Sequence, residues 1–123
     1  ASDVTTISTV VTSACDQADV IYIPTDNLFA ENMESVKNIT EPAKIPVICG
    51  EGGQVKSGGT ASVAIDYYVL GYRAGEMAYE ILVNGADPAT MPIGFMTADE
   101  MELIINEENA AAIGLTIPED LKK

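Results

Sequence analysis

The chain is predicted to form a three-layer α/β fold, in which a mostly parallel β-sheet carries helices on both faces. Short, nearly continuous apolar runs alternate with longer stretches whose apolar residues have helical spacing. Polar residues, glycine or proline follow each run, as is typical where a buried parallel strand ends. The 123 residues suffice for one hydrophobic core, so we predict a single domain over 1–123.

The first half of the chain is predicted to alternate helix and strand twice. Either Ser2 or Asp3 is placed to cap the first helix. Pro42 is expected to end the second helix, because a proline disfavours helical backbone in the residue before it. The predicted elements are a helix at about 4–17, a strand at 19–23, a helix from 25–27 to Pro42, and a strand at 45–49.

The second half is predicted to begin with a glycine-rich loop and then continue the alternation. Asn84-Gly85 provides a typical helix C-terminus, and Gly114 stops the last helix in the same way. The predicted elements are a loop at 51–59, a strand at 62–65, a helix at about 69–84, a strand at 101–105 and a helix at 107–113.

Polar residues follow three of these strands, at the edge where open parallel sheets bind ligands. Because parallel strands run in the same direction, their carboxyl ends lie at one edge of the sheet, so the three segments are expected to form one binding edge. The segments are Thr25-Asp26-Asn27, Gly50-Glu51-Gly52 and Asp66-Tyr67-Tyr68.

Composition excludes several function classes. A net charge of −13 disfavours binding to nucleic acid, and the only basic cluster is Lys122-Lys123, so no polybasic membrane patch is expected. The absence of histidine removes the commonest general base and metal ligand, so we predict no enzyme, no metal and no cofactor. Cys15 and Cys49 fit no metal-binding spacing and are predicted to stay unpaired. Neither a membrane-spanning run nor, at Ala1–Val4, a signal peptide is recognisable.

Several segments, in order, resemble one family of proteins. Asp19–Asn27 is similar to a D-A-I-Y-V-P-T-D-N segment, and Lys44–Gly58 and Ala64–Gly71 resemble the next two blocks. The similarity continues through 75–78, Pro88, Pro92 and 103–106 to 114–118. The family is that of ABC-type substrate-binding proteins with a type I periplasmic fold, which includes tryptophan- and tyrosine-binding lipoproteins.

The resemblance implies an extracytoplasmic, periplasmic or lipid-anchored, component of an ABC importer that works with a permease. It implies capture of a small solute between two lobes, with an aromatic amino acid favoured over branched amino acids or other small organic solutes. This chain would be an incomplete second lobe, with about 99–123 returning toward the missing first lobe. The missing lobe and a missing central strand would leave pairing groups exposed, so a homodimer or domain-swapped assembly is expected.

For an amino-acid ligand, the predicted contacts divide by chemistry. Asp66 would accept the ammonium or, alternatively, cap the helix after it. Thr25 and Asn27 would hold polar ligand atoms, whereas Asp26 is more suited to capping. Backbone N–H groups at Glu51 and Gly52 would hold a carboxylate, unless the loop is only a turn. The whole predicted set, including Tyr67 as a stacking or packing residue, is Thr25, Asp26, Asn27, Glu51, Gly52, Asp66 and Tyr67.

Other function classes remain open from the residues alone. A small α/β receiver-like domain or a carboxylate-dependent hydrolase would also place acids at strand ends, and Asp26 and Asp66 form a conceivable pair. The acidic residues of this chain are scattered, however, and no suitably placed lysine follows its strands. A ligand-free interaction domain is the third alternative.

Overall fold

The computed structural model describes residues 1 and 3–122 and confirms the α/β class. Single 3-10 turns occur at Ala98–Glu100 and Glu119–Leu121. The helices are α1 (Val4–Cys15), α2 (Asn27–Ala30), α3 (Met33–Ala43), α4 (Gly52–Lys56), α5 (Tyr67–Leu82) and α6 (Glu107–Ile113). The strands are β1 (Ile21–Ile23), β2 (Val47–Cys49), β3 (Ala61–Ile65) and β4 (Met101–Ile105).

The four strands form one sheet in the order β1-β2-β3-β4. β1 pairs in parallel with β2, and β2 pairs in parallel with β3. Tyr22 lies opposite Ile48, and Ile48 lies opposite Ala61, so these residues share one face of the sheet. The parallel arrangement predicted from the alternation of elements is therefore confirmed for these pairs.

The chain divides into two compact units. Unit 1 comprises Ala1–Ala64 and Leu103–Lys123, and unit 2 comprises Ile65–Glu102. The assignment of 1–123 to a single domain stays a prediction, as does the return of about 99–123 toward a missing lobe.

The core of unit 1 lies on one face of its sheet, beneath α1, α3 and α4. Alternating strand residues point into it, as the period of two requires. The buried members are Ile7, Val11, Ile23, Met33, Val36, Val47, Cys49 and Val55. On the opposite face Tyr22, Ile48 and Val63 are exposed. The described helices of unit 1 therefore cover one face at these positions, whereas parallel sheets are usually covered on both.

A buried hydrogen-bond network joins β2, β3 and α6 in unit 1. The Thr60 hydroxyl accepts from the Val47 N–H at 2.9 Å and donates to Asn109 Oδ1 at 2.7 Å. Asn106 donates from its backbone N–H to the Thr60 carbonyl and from its side chain to the Val55 carbonyl. Because each of these buried polar groups is paired, the network fixes α6 against the sheet without leaving them unsatisfied.

Unit 2 is built differently. None of the described residues of α5 is buried. Arg73 forms an ion pair with Glu100 and donates to the Phe95 carbonyl at 3.2 Å, and Glu100 also accepts from the Thr97 hydroxyl and N–H. These hydrogen bonds from Thr97, with the neighbouring Arg73 charge, lower the pKa of Glu100. These polar contacts therefore hold part of the segment after α5, in which Met96 is buried.

Two predictions about the first three helices need correction. The second predicted helix is two helices, α2 and α3, separated at Glu31-Asn32. Pro42 lies inside the last turn of α3, and the left-handed Lys44 (φ 58°) ends the helix instead. Asp3 caps α1 through the Thr6 N–H, as predicted, whereas Ser2 lies outside the described residues.

The glycine-rich loop predicted at 51–59 is wrong over Gly52–Lys56, which forms α4. Glu51 caps this short helix, and the cap offsets the low helix propensity of its two glycines. α5 also starts earlier than predicted, at Tyr67, because Asp66 caps it. It ends at Leu82, ahead of the predicted Asn84-Gly85, and Gly85 then adopts φ +72°.

Candidate functional site

The exits of β1 and β2 meet in unit 1. The Thr25 hydroxyl donates to the Gly50 carbonyl at 3.2 Å, and the Gly50 N–H donates to the Ile23 carbonyl at 2.8 Å. A Cβ at Gly50 would lie 2.5 Å from the backbone nitrogen of Thr25, so only glycine permits this approach. The structure thus brings together the Thr25 and Gly50-Glu51 segments that sequence analysis placed on one edge.

Asp26 and Asn27 differ in role at the start of α2. Asp26 Oδ1 accepts from the Phe29 N–H at 3.0 Å and so caps the helix, as predicted. Asn27 is the first helical residue and is exposed. Within the described chain its side-chain amide makes no hydrogen bond, so both its donor and its acceptor face solvent.

Glu51 occupies the N-terminus of α4 with its own carboxylate. Its Oε1 accepts from the Gln54 N–H at 2.9 Å, and its Oε2 accepts from the Gly53 N–H at 3.3 Å. A ligand carboxylate at these donors would therefore have to displace Glu51. Gly52 packs inward, because a Cβ there would lie 2.5 Å from Ile104 Cδ1.

Two buried residues, Gln54 and Cys49, lie next to this edge and were not among the predicted site residues. Gln54 is fully buried and donates from Nε2 to the Pro24 carbonyl at 3.1 Å, which joins α4 to the exit of β1. Burial, with the nearby Glu51 charge, raises the pKa of the Cys49 thiol to about 12. Cys49 therefore stays a protonated core residue and no nucleophile.

Asp66 and Tyr67 belong to the junction at the start of unit 2. Asp66 Oδ1 accepts from the N–H groups of Tyr68 at 2.8 Å and Val69 at 3.2 Å. Its Oδ2 makes no hydrogen bond among the described residues, so one oxygen caps α5 and the other is open. The Tyr67 ring is exposed, which leaves it available for stacking.

Neither a metal-binding cluster nor a membrane-spanning helix occurs in the part of the chain that the structure describes. No group of three or more histidine, cysteine, aspartate or glutamate side chains there is arranged to hold a metal ion. Among the same residues, no helix has the length and apolar character needed to cross a membrane.

The strand-exit edge of unit 1 presents hydroxyl, amide and carboxylate side chains. The chain belongs to the ABC transporter substrate binding protein family, whose model matches residues 1–123. The resemblance stated from the sequence is therefore confirmed, and the family is one of binding proteins.

Three relatives show the extent of the similarity. The chain is 40% identical over 109 residues to a tyrosine-binding protein of Clostridioides difficile, a match that covers 89% of this chain and 31% of that protein. The ligand-free, open structure of a substrate binding protein with adhesive properties from Clostridium difficile matches at TM-score 0.76 and 38% identity, over 98% of this chain and 40% of that chain.

A Streptococcus pneumonia ABC domain in complex with L-Trp matches at TM-score 0.82 and 31% identity, over 99% of this chain and 40% of that chain. The chain therefore spans less than half the length of the relatives it matches.

Proposed function

We propose that this chain forms part of the solute-binding component of an ABC importer, and that its solute is an amino acid with an aromatic side chain favoured. The observation that carries the proposal is the similarity to two relatives of stated ligand, a tyrosine-binding protein and a domain bound to L-Trp. As these relatives are longer, the proposed activity is that of a two-lobed protein, in which the solute is enclosed between the lobes.

The proposed contacts follow from the chemistry of the two strand-exit segments. In unit 1, Thr25 and Asn27 would bind polar atoms of the solute, and the Asn27 amide is already exposed. Asp26 serves mainly as a cap, and Glu51 and Gly52 would contribute only after Glu51 releases the α4 amides.

In unit 2, the open oxygen of Asp66 would accept the ammonium of an amino acid as a charge-assisted hydrogen bond. The exposed ring of Tyr67 would stack on an aromatic solute.

Location and partners belong to the same proposal. An importer's binding component works outside the cytoplasm, either in a periplasm or on a lipid anchor at the outer face of the membrane. Its protein partner would be the permease of the importer. The 123-residue chain alone is proposed to associate as a homodimer, because apolar surface is exposed in both units.

The test is calorimetric titration of the longer protein that carries this chain with L-Trp, L-Tyr and L-Leu. We expect saturable binding of the two aromatic amino acids and weaker binding of L-Leu. Asp66→Asn keeps an oxygen for capping but removes the charge, so affinity should fall by about tenfold or more.

The matched control is Glu108→Gln, which removes an exposed acid from α6 of unit 1 and should leave the affinity unchanged. Absence of binding to every amino acid by a folded protein would overturn the proposed solute class. Equal affinity of the Asp66→Asn variant and the wild type would remove Asp66 from the site.

A further inference from the structure

Asn84 and Gly85 form the single Asn-Gly pair of the sequence, and both lie beyond the end of α5 in unit 2. Both residues are exposed. Gly85 adopts φ +72°, and apart from its chain neighbours no heavy atom of the described residues lies within 4 Å of a Cβ built there. Every other asparagine precedes a residue with a side chain, namely Leu28, Met33, Ile39, Glu107 and Ala110.

The backbone N–H of Gly85 is unpaired. The hydrogen bond that ends α5 runs from the Val83 N–H to the Tyr79 carbonyl. Two residues further on, the Gly85 N–H donates to no acceptor among the described residues. Because glycine has no Cβ, its nitrogen is the least hindered of all residues in approaching the side chain before it. The nitrogen next to the Asn84 side chain is therefore both accessible and free of a competing bond.

Two hydrogen bonds to Glu80 close the C-terminal end of α5 on either side of Gly85. Asn84 Nδ2 donates to Glu80 Oε2 at 2.8 Å, and the Ala86 N–H donates to the Glu80 carbonyl at 3.0 Å. The turn leads directly to the segment that begins at Pro88, which lines a groove of about 750 Å³ together with α5. A chemical change at Asn84 would therefore alter the connection between α5 and that segment.

We propose that Asn84 is a site of spontaneous deamidation through a cyclic imide. The Gly85 nitrogen attacks Asn84 Cγ, the Cγ–Nδ2 bond breaks, and the amide nitrogen leaves as ammonia with the proton that Gly85 releases through water. Water then opens the five-membered ring at either of its two carbonyl carbons. One opening gives aspartate, and the other gives isoaspartate, in which Cβ becomes part of the main chain. Water is the only co-reactant, and the inference does not depend on solute capture.

Either product should open the last turn of α5. A carboxylate at position 84 cannot donate to Glu80, and the chain becomes one unit more negative than its net charge of −13. The new charge lies at a helix C-terminus, where the helix dipole disfavours anions. Isoaspartate also lengthens the main chain between residues 84 and 85, which displaces the Ala86 N–H from the Glu80 carbonyl.

Incubation of the folded 123-residue chain at physiological temperature tests the proposal, with digestion and mass spectrometry resolving each asparagine. We expect Asn84 to be lost with first-order kinetics, faster at mildly alkaline than at mildly acidic pH, because the attacking nitrogen must give up its proton. Chromatography of the digest should separate an aspartate and an isoaspartate product. Asn27 and Asn38 are matched internal controls, because both are exposed but neither precedes a glycine, and they should stay intact.

Two variants test the chemistry at the pair itself. Gly85→Ala should slow the loss of ammonia by an order of magnitude or more, because the added methyl hinders the attack. Asn84→Gln keeps the amide but would require a six-membered ring, so position 84 should stay unmodified. Hydrogen exchange of the Ala86 amide then measures the structural consequence, and its protection should fall in the modified chain. Unchanged protection would overturn the expected opening of α5.

Three results would overturn the proposal. The first is an Asn84 that stays intact in the folded chain while it reacts in urea, since the fold would then protect it. The second is an equal rate at Asn84, Asn27 and Asn38, and the third is a rate that Gly85→Ala leaves unchanged. If Asn84 reacts as expected but the longer protein binds no amino acid, this inference stands and the proposed function alone is overturned.

Discussion

The two units of the molecule differ in what stabilises them. Unit 1 has an apolar core beneath its sheet and a satisfied polar network around Thr60 and Asn109. In unit 2 none of the described α5 residues is buried, and a partly exposed ion pair between Arg73 and Glu100 contacts the segment that follows. Ion pairs that remain partly exposed contribute only modestly to stability, so unit 2 gains less than unit 1 from its own contacts among the described residues.

The largest expected contrast comes from the same substitution in the two units. Met33→Ala removes a fully buried side chain from the core of unit 1 and should lower the free energy of unfolding by about 2–5 kcal/mol. Met77→Ala in α5 removes a half-buried side chain and should cost about 1 kcal/mol or less. Urea unfolding followed by circular dichroism measures both. Equal losses would show that unit 2 has a core of comparable strength.

Glycine substitutions should have opposite signs in the two units. Gly50→Ala places a Cβ against the backbone of Thr25 and should destabilise unit 1 by about 2–3 kcal/mol. Gly71→Ala in α5 meets no neighbour and should stabilise the monomer by about 0.5–1 kcal/mol. Thermal unfolding at low concentration, where the chain is monomeric, gives both values. A destabilising Gly71→Ala under those conditions would contradict an open face on α5.

Thr60→Val tests the polar network of unit 1. Valine keeps the shape but leaves the Val47 N–H without its acceptor and Asn109 Oδ1 without its donor. We expect a loss of about 2 kcal/mol in unfolding free energy, because buried polar groups become unsatisfied. Thr60→Ser retains the hydroxyl and should cost clearly less. If Thr60→Ser and Thr60→Val lower the unfolding free energy by the same amount, the loss reflects packing and not hydrogen bonding.

The smallest expected effect is a pH dependence confined to unit 2. Hydrogen bonds from Thr97, with the Arg73 charge, lower the pKa of Glu100 in the folded chain. A lowered folded pKa contributes stability above the ordinary glutamate value of about 4.3, and this is lost as pH falls through the folded pKa. The protection of the Thr97 amide, which donates to Glu100, should therefore fall below about pH 4.3 when its exchange rate is compared with the intrinsic rate at the same pH. Glu100→Gln should abolish this pH dependence, and its persistence in that variant would assign it to another group.

Elements with strong local signals were predicted most accurately. β4 and α6 have the predicted bounds, because α6 begins after the Asn106 cap and stops at Gly114, whose φ is +77°. α4 was missed because its stability depends on the Glu51 carboxylate, a contact that glycine-rich composition conceals. Likewise, the division into α2 and α3 could not be predicted, because no proline or glycine lies at their boundary, Glu31-Asn32.

The candidate site was predictable in position but not in detail. The rule that ligands bind beyond the carboxyl ends of parallel strands located Thr25 and Gly50-Glu51 on a common edge. The hydrogen bond between Thr25 and Gly50 joins residues 25 positions apart, so no local pattern contains it. The buried Gln54 was missed for the same reason, since its partner is the carbonyl of Pro24, 30 positions away in the sequence. The roles of the proposed ligand contacts stay predictions.

The position of unit 2 in the chain has a consequence for the order of folding. Unit 2 is inserted between β3 and β4, which are neighbours in the sheet, so its two ends leave from and return to adjacent strands. The hydrogen bond from the Thr60 hydroxyl to Asn109 Oδ1 therefore joins residues that are 49 positions apart in the sequence, and it closes the loop that contains unit 2. Loop closure becomes only slowly more unfavourable with length, so a moderate shortening of unit 2 should change the equilibrium stability of unit 1 only slightly. Such a deletion should instead accelerate the docking of α6, because it lowers the contact order of that step.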